Sequence, residues 1–165
     1  GEFLASNLYE IEPDIITLAK GLGGGVPIGA VMTKHKDVLV AGDHGSTFGG
    51  NYLSTAAGLA VLDILHTLYD DGTIDETLVY FSQKLHGIVE KYTHLFEKEV
   101  GLGLMRGLRA KSAEVQGSVI KNCMAEGVIV LKAGRNTVRF LPSITISKNE
   151  MDEGFERFEK AISSL

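Results

Sequence analysis

Pro13-Asp14-Ile15-Ile16-Thr17-Leu18-Ala19-Lys20-Gly21-Leu22-Gly23-Gly24-Gly25-Val26-Pro27-Ile28-Gly29-Ala30 is the segment around which the rest of the chain is organised. Ile15 to Ala19 is β-branched and does not alternate with polar residues, so it reads as a strand buried on both faces, of the parallel-sheet type. It ends on a single lysine. Four glycines follow within five residues, so the backbone there can take positive φ and pass close to another group. Ile28 to Thr33 reads as a second strand. An amine placed at the end of a buried strand loses hydration, and desolvation lowers the pKa of a lysine. A neutral amine can attack a carbonyl. The alternative is a lysine that snorkels into water beside an ordinary glycine turn, and the local pattern leaves both open.

Further along, Gly42-Asp43-His44-Gly45-Ser46-Thr47-Phe48-Gly49-Gly50-Asn51 is a polar, glycine-rich loop that leads into a long apolar run. Hydroxyls and free backbone N–H groups near a helix start suit a phosphate, and they equally suit an N-cap with a turn. Leu53 to Tyr69 reads as a helix with Leu59, Leu62, Leu65 and Leu68 in phase, opening on the small residues Ser54-Thr55-Ala56-Ala57-Gly58, and Gly72 reads as its C-terminal cap. Ile74 to Phe96 reads as a second helix and Met105 to Ala110 as a strand. Glu114 to Glu126 is helical and ends at Gly127. Val128 to Leu131 and Thr137 to Leu141 read as a hairpin turning at Ala133-Gly134-Arg135-Asn136. Lys148 to Leu165 reads as an amphipathic helix, with Ser147 and Glu150 forming a capping box. Lys34 to Val40 reads as a short helix or turn, and residues 1–12 carry no strong signal. The organisation changes near Asp70, giving a first part over residues 1–70 and a second over 71–165.

Composition narrows the function. The chain has 165 residues, 44% hydrophobic and 22% charged, with a net charge of −5 and no basic cluster, which argues against nucleic acid as a partner. No apolar run approaches the roughly 20 residues needed to span a bilayer. The single Cys123 cannot form an internal disulfide, in keeping with a reducing, cytoplasmic setting. The five histidines show no zinc spacing. Arg139 lies inside an apolar strand, where an arginine either pairs bidentately with a carboxylate or faces water from an edge. Arg106 and Arg109 flank Gly107 at strand positions near a surface and are assigned no role. Phe48 and Tyr52 read as core or interface packing.

Ile11 to Gly25 and Gly42 to Asn51, long motifs in this order and at this spacing, resemble the two signatures of the class III aminotransferases. The resemblance extends over the whole chain and corresponds to the C-terminal part of such an enzyme. It implies an α/β fold, that of aspartate aminotransferase (fold type I). Residues 1–70 are then the end of a large domain that binds pyridoxal 5'-phosphate, and residues 71–165 an α+β small domain. It implies that Lys20 carries the cofactor and acts as the catalytic base. By the same resemblance Thr47 contacts the cofactor phosphate from the neighbouring subunit, Ser46 lies beside an acylated amino-acid substrate, and Arg139 takes a substrate carboxylate. A homodimer with shared active sites follows, with amino-acid and 2-oxo-acid substrates and no nucleic acid or membrane partner. The resemblance implies N-acetylornithine as amino donor and 2-oxoglutarate as acceptor, with succinylornithine, ornithine, 4-aminobutyrate and β-alanine as alternative donors. Family members also have an upstream glycine-threonine phosphate loop, a ring-stacking aromatic residue and an Asp-Glu-Val-Gln segment shortly before the lysine, none of which occurs here. The sequence is therefore expected to be a fragment that is inactive alone. From other classes, a non-catalytic phosphate-binding module and a dimerisation domain remain.

Overall fold

The computed structural model describes residues 2–165, which fall into two compact units, Glu2–Gly72 and Thr73–Leu165. No helix among the described residues is long and apolar enough to cross a membrane.

The first unit opens with one short helical turn, α1 (Ala5–Leu8). Strands β1 (Ile15–Ala19) and β2 (Gly29–Thr33) pair antiparallel, with Ile15 opposite Thr33 and Ala19 opposite Gly29. The expectation of buried, parallel-type strands is thus corrected. The connection between them, residues 20–28, is shorter than the dozen or so residues a parallel crossover requires. A two-stranded ribbon also has few neighbours, so Ile15 stays 48% exposed. Lys34 to Val40 forms turns and no helix. Helix α2 (Tyr52–Asp70) follows the polar loop, and Gly72 lies just past its end at φ 80°. Its inner face runs through Ser54, Gly58 and Val61, not through Leu59, which is exposed. Leu62, Leu65 and Leu68 are half-buried, as their spacing predicts, and only Leu59, at the start of a series that drifts around a helix of 3.6 residues per turn, leaves the inner face. The small residues do what small residues permit. A Cβ on Gly58 would lie 3.3 Å from Ile28 Cδ1, and one on Gly24 3.0 Å from Val61 Cγ2, so a side chain of the loop packs on bare helix backbone and a side chain of the helix on bare loop backbone.

The second unit lays three helices against one antiparallel sheet of order β3–β4–β6–β5. Helix α3 (Thr73–Lys91) stops five residues short of the expected end. Phe96, expected as the last residue of the helix, instead begins a strand, β3 (Phe96–Leu102). The reason is tertiary. Phe96 pairs with Ala110 of β4 (Met105–Ala110) and is 1% exposed, stacked on Phe158, which gains more than another helical turn would. Helix α4 (Ala113–Ala125) is capped by Ser112, and Gly127 follows it at φ 76°. Strand β5 (Leu131–Ala133) starts later than expected and pairs with β6 (Thr137–Phe140) across a turn in which Arg135 and Asn136 both take positive φ. Gln116 of α4 donates to the carbonyls of Ala133 and Thr137, fastening the helix to this hairpin.

Leu85, Leu108, Val119, Cys123, Val138 and Ile162 are fully buried in one core with Phe81, Phe155 and Phe158. Burial pushes the Cys123 thiol up to about 11. Leu108 and Val138 are cross-strand partners that face the helices, so Gly107, Arg109, Thr137 and Arg139 lie on the opposite face of the sheet. Helix α5 (Lys148–Ile162) carries the expected capping box, with Ser147 Oγ accepting from Glu150 N and the Glu150 carboxylate accepting from Ser147 N. The Ser147 hydroxyl also donates to that carboxylate at 2.7 Å, and this contact, then the one from Ser147 N, holds the Glu150 carboxyl below its usual range. Ser147→Ala is expected to lower the stability of this unit by about 1 kcal/mol, read by chemical denaturation.

Candidate functional site

Lys20 sits where β1 ends and a single turn of 3-10 helix (Lys20–Gly23) begins, at φ 56°, an uncommon conformation for a residue with a Cβ. It lines a shallow hollow with Ala19, Gly21, Gly24, Gly25 and the Val26–Ile28 bend. A Cβ added to Gly21 or Gly25 would meet nothing within 4 Å, so bare backbone borders open space on the glycine side of this hollow. The desolvation expected of Lys20 is not supplied by this chain, in which its side chain is exposed. At the tip of a two-stranded ribbon too few groups surround it.

A broader groove lies against the same bend, which both hollows share. It is lined by Thr17 and Leu18, by β2, and by His44, Ser46, Phe48 and Asn51 of the polar loop. Ser46 therefore faces a groove next to the Lys20 hollow. Thr47 lines neither and is exposed. Neither hydroxyl caps α2, which removes the capping alternative for both. The cap is Asn51. Its Oδ1 accepts from Ser54 N at 2.9 Å, and its Nδ2 donates to Phe48 O at 2.8 Å and to Ser54 Oγ at 3.0 Å. Ser54 Oγ in turn donates to Pro27 O at 2.9 Å, tying the start of the helix to the glycine loop. Asn51 and Ser54 are thus the residues that position the loop, and the sequence reading gave them no such role. An asparagine directly before an apolar run was the available signal. Phe48 and Tyr52 are 79% and 94% exposed, so of the core or interface packing expected for them the chain's own core supplies none.

At the other end of the ribbon, Asp14 Oδ1 meets His35 Nε2 at 2.9 Å and Lys34 Nζ at 3.4 Å. The His35 contact, then Lys34, holds the Asp14 carboxyl below its ordinary value. With Thr33 Oγ1 donating to Asp14 O, this cluster fastens the strand ends together.

Arg139 belongs to the second unit. It is half-buried, and its Nε is a buried donor with no hydrogen-bond partner. Leaving such a group unpaired costs free energy, so it is a donor with capacity for an acceptor from outside the chain. Arg106 is not the near-surface residue expected. It pairs with Glu99, donates to Ser82 Oγ at 2.7 Å, and its side chain is 19% exposed. Among the described residues no group of three or more His, Cys, Asp or Glu side chains could hold a metal ion.

The family model for class-III aminotransferases matches residues 1–162. The chain belongs to the class-III aminotransferase family. All of this class-III aminotransferase chain aligns with the acetylornithine aminotransferase of Wolinella succinogenes at 58% identity, covering 42% of that protein. It aligns in full with the acetylornithine aminotransferase of Methanocaldococcus jannaschii at 41% identity, covering 41% of it. The chain therefore spans about 42% of the length of the curated relatives it matches. Among solved structures, the N-acetylornithine aminotransferase of Stenotrophomonas maltophilia superposes with a TM-score of 0.81 at 30% identity, over 97% of this chain and 42% of that one. An ornithine aminotransferase from Toxoplasma gondii, with pyridoxal phosphate partially occupying its active site, gives 0.83 at 29% identity, over 97% and 39%. The α/β architecture of this class-III aminotransferase is that of the C-terminal part of the fold.

Proposed function

We propose that the full-length protein is a cytoplasmic, pyridoxal 5'-phosphate-dependent aminotransferase of arginine biosynthesis. It would move the terminal amino group of N-acetylornithine to 2-oxoglutarate, giving N-acetylglutamate 5-semialdehyde and glutamate. The observation that carries this reading is Lys20, a primary amine at a strand end beside a hollow edged by the bare backbone of Gly21 and Gly25. Such a hollow fits an aldehyde-bearing ring, and Lys20 is the residue that would hold it. When bound, the cofactor supplies an electron sink for the substrate Cα–H bond. The relatives named above support the choice of amino donor.

The chain's own residues then divide the work. Lys20 Nζ, freed by the incoming amine, takes and returns the proton at the substrate carbon, because one amine can serve as leaving group and then as base. Ser46 borders the groove in which the acylated end of the substrate would lie. Thr47, which lines neither hollow of its own chain, would reach the cofactor phosphate of a neighbouring subunit, so the working unit is a homodimer with shared sites. Arg139 offers its unpaired Nε to a substrate carboxylate. In this reading the first unit is the end of a large cofactor domain and the second the small domain.

Purified full-length protein is expected to form glutamate fastest from N-acetylornithine when succinylornithine, ornithine and 4-aminobutyrate are compared. Faster turnover of ornithine would overturn the choice of donor, and no glutamate from any amine would overturn the class. Arg139→Gln is expected to raise the KM for 2-oxoglutarate by about 10- to 100-fold, the worth of a charge-assisted hydrogen bond, in steady-state kinetics.

A further inference from the structure

The sheet face opposite the helices carries cations that the reading above leaves unused. Lys98 of β3 stands opposite Arg109 of β4, Arg109 opposite Thr137 of β6, and Arg139 lies two residues beyond Thr137. Residues two apart on a strand share a face, so Lys98, Arg109 and Arg139 stand in one diagonal row. Among the described residues none of the three makes an ion pair, although the chain carries a net charge of −5. Arg109 is also oriented. Its Nε donates to Thr137 Oγ1 at 3.1 Å, which directs the guanidinium toward the strand that holds Arg139. Between the two arginines lies Gly107, directly opposite Arg139. A Cβ there would come within 2.5 Å of Thr137 Cγ2 and 2.7 Å of Val138 O, so the Thr137 methyl lies over this glycine and a larger residue at 107 would push Thr137, and with it Arg109, out of place.

Diagonal cross-strand neighbours on one face are roughly 7–8 Å apart, within the joint reach of two long side chains onto one small dianion. We propose that Arg109 is a second carboxylate-recognising residue of this site, and that with Arg139 it makes the site selective for a dicarboxylate oxo acid over a monocarboxylate one. The proposal rests on the aminotransferase reading, in which Arg139 takes a substrate carboxylate. Thr137 holds Arg109 in place. Lys98 adds charge to the same face without a contact of its own.

The test uses the full-length, cofactor-loaded enzyme, with 2-oxoglutarate and pyruvate as competing acceptors and glutarate as an unreactive probe. Arg109→Gln is expected to lower the ratio of kcat/KM for 2-oxoglutarate to that for pyruvate about tenfold, with most of the change in KM. Glutarate affinity, measured by titration calorimetry without turnover, should fall by a similar factor, and Arg109→Lys should recover part of it. An unchanged ratio with unchanged glutarate affinity overturns the proposal, as does an equal loss for both acceptors. If Arg109→Gln does not fold, Thr137→Val must shift the same ratio in the same direction, and its failure to do so overturns the proposal. Lack of any turnover by the unaltered enzyme would strike the aminotransferase reading instead, while the glutarate titration still decides whether Arg109 binds a dicarboxylate.

Discussion

Lys20→Ala in the full-length protein is expected to lower transamination by about 10⁴-fold or more. The substitution removes an amine that would act first as leaving group and then as proton carrier, and loss of a positioned acid–base group alone accounts for 10² to 10⁴. The fold should be untouched. Lys20 is exposed and, among the described residues, makes no ion pair, so the thermal midpoint should stay within about 1 °C of the unaltered protein. Glutamate formation measures the first effect and a thermal melt the second. Borohydride treatment adds an independent mark, since reduction should label Lys20 in the unaltered protein. A variant that keeps a tenth of the activity, or a label on another lysine, sinks the assignment.

Gly101→Ala is expected to cost the second unit about 2–5 kcal/mol. Gly101 stands at φ 96°, and a Cβ there would lie 2.3 Å from Met105 O and 3.0 Å from Arg106 Cα. Both are backbone atoms of the paired strand, so no side chain can swing away and the hairpin itself must open. A Cβ in the left-handed region costs about 1–2 kcal/mol and forced overpacking another 1–3. Gly103→Ala is the control. It has φ 61° but nothing within 4 Å of an added Cβ, so it should cost only the conformational part. Chemical denaturation of both variants separates the two causes. Equal losses would mean that the close approach of β3 and β4 carries no weight.

Local signals were read well because their physics is local. The Ser147–Glu150 capping box, the glycines after α2 and α4, and the β1–β2 pair each depend on a handful of neighbouring residues. The failures share a cause as well. Phe96 is an acceptable helix residue until Ala110 and Phe158 offer it a strand and a ring to stack on. Arg106 reads as a surface cation until Glu99 and Ser82 close around it. Ile15 to Ala19 reads as fully buried because apolar composition cannot reveal how many layers cover a strand. Of the site, Lys20 and the two glycine loops stand out in the sequence. Asn51 and Ser54 do not, because their work is to hold one loop against another.

By itself, the sequence determined the family, through two motifs whose order and spacing are linear properties of the chain. It also determined most helix ends, since caps act within a few residues. Only the tertiary structure decided how few neighbours cover the first two strands, the strand at Phe96, and the face shared by Arg109 and Arg139. Those features depend on which distant segments meet, and pairing across a sheet joins residues that no local pattern connects.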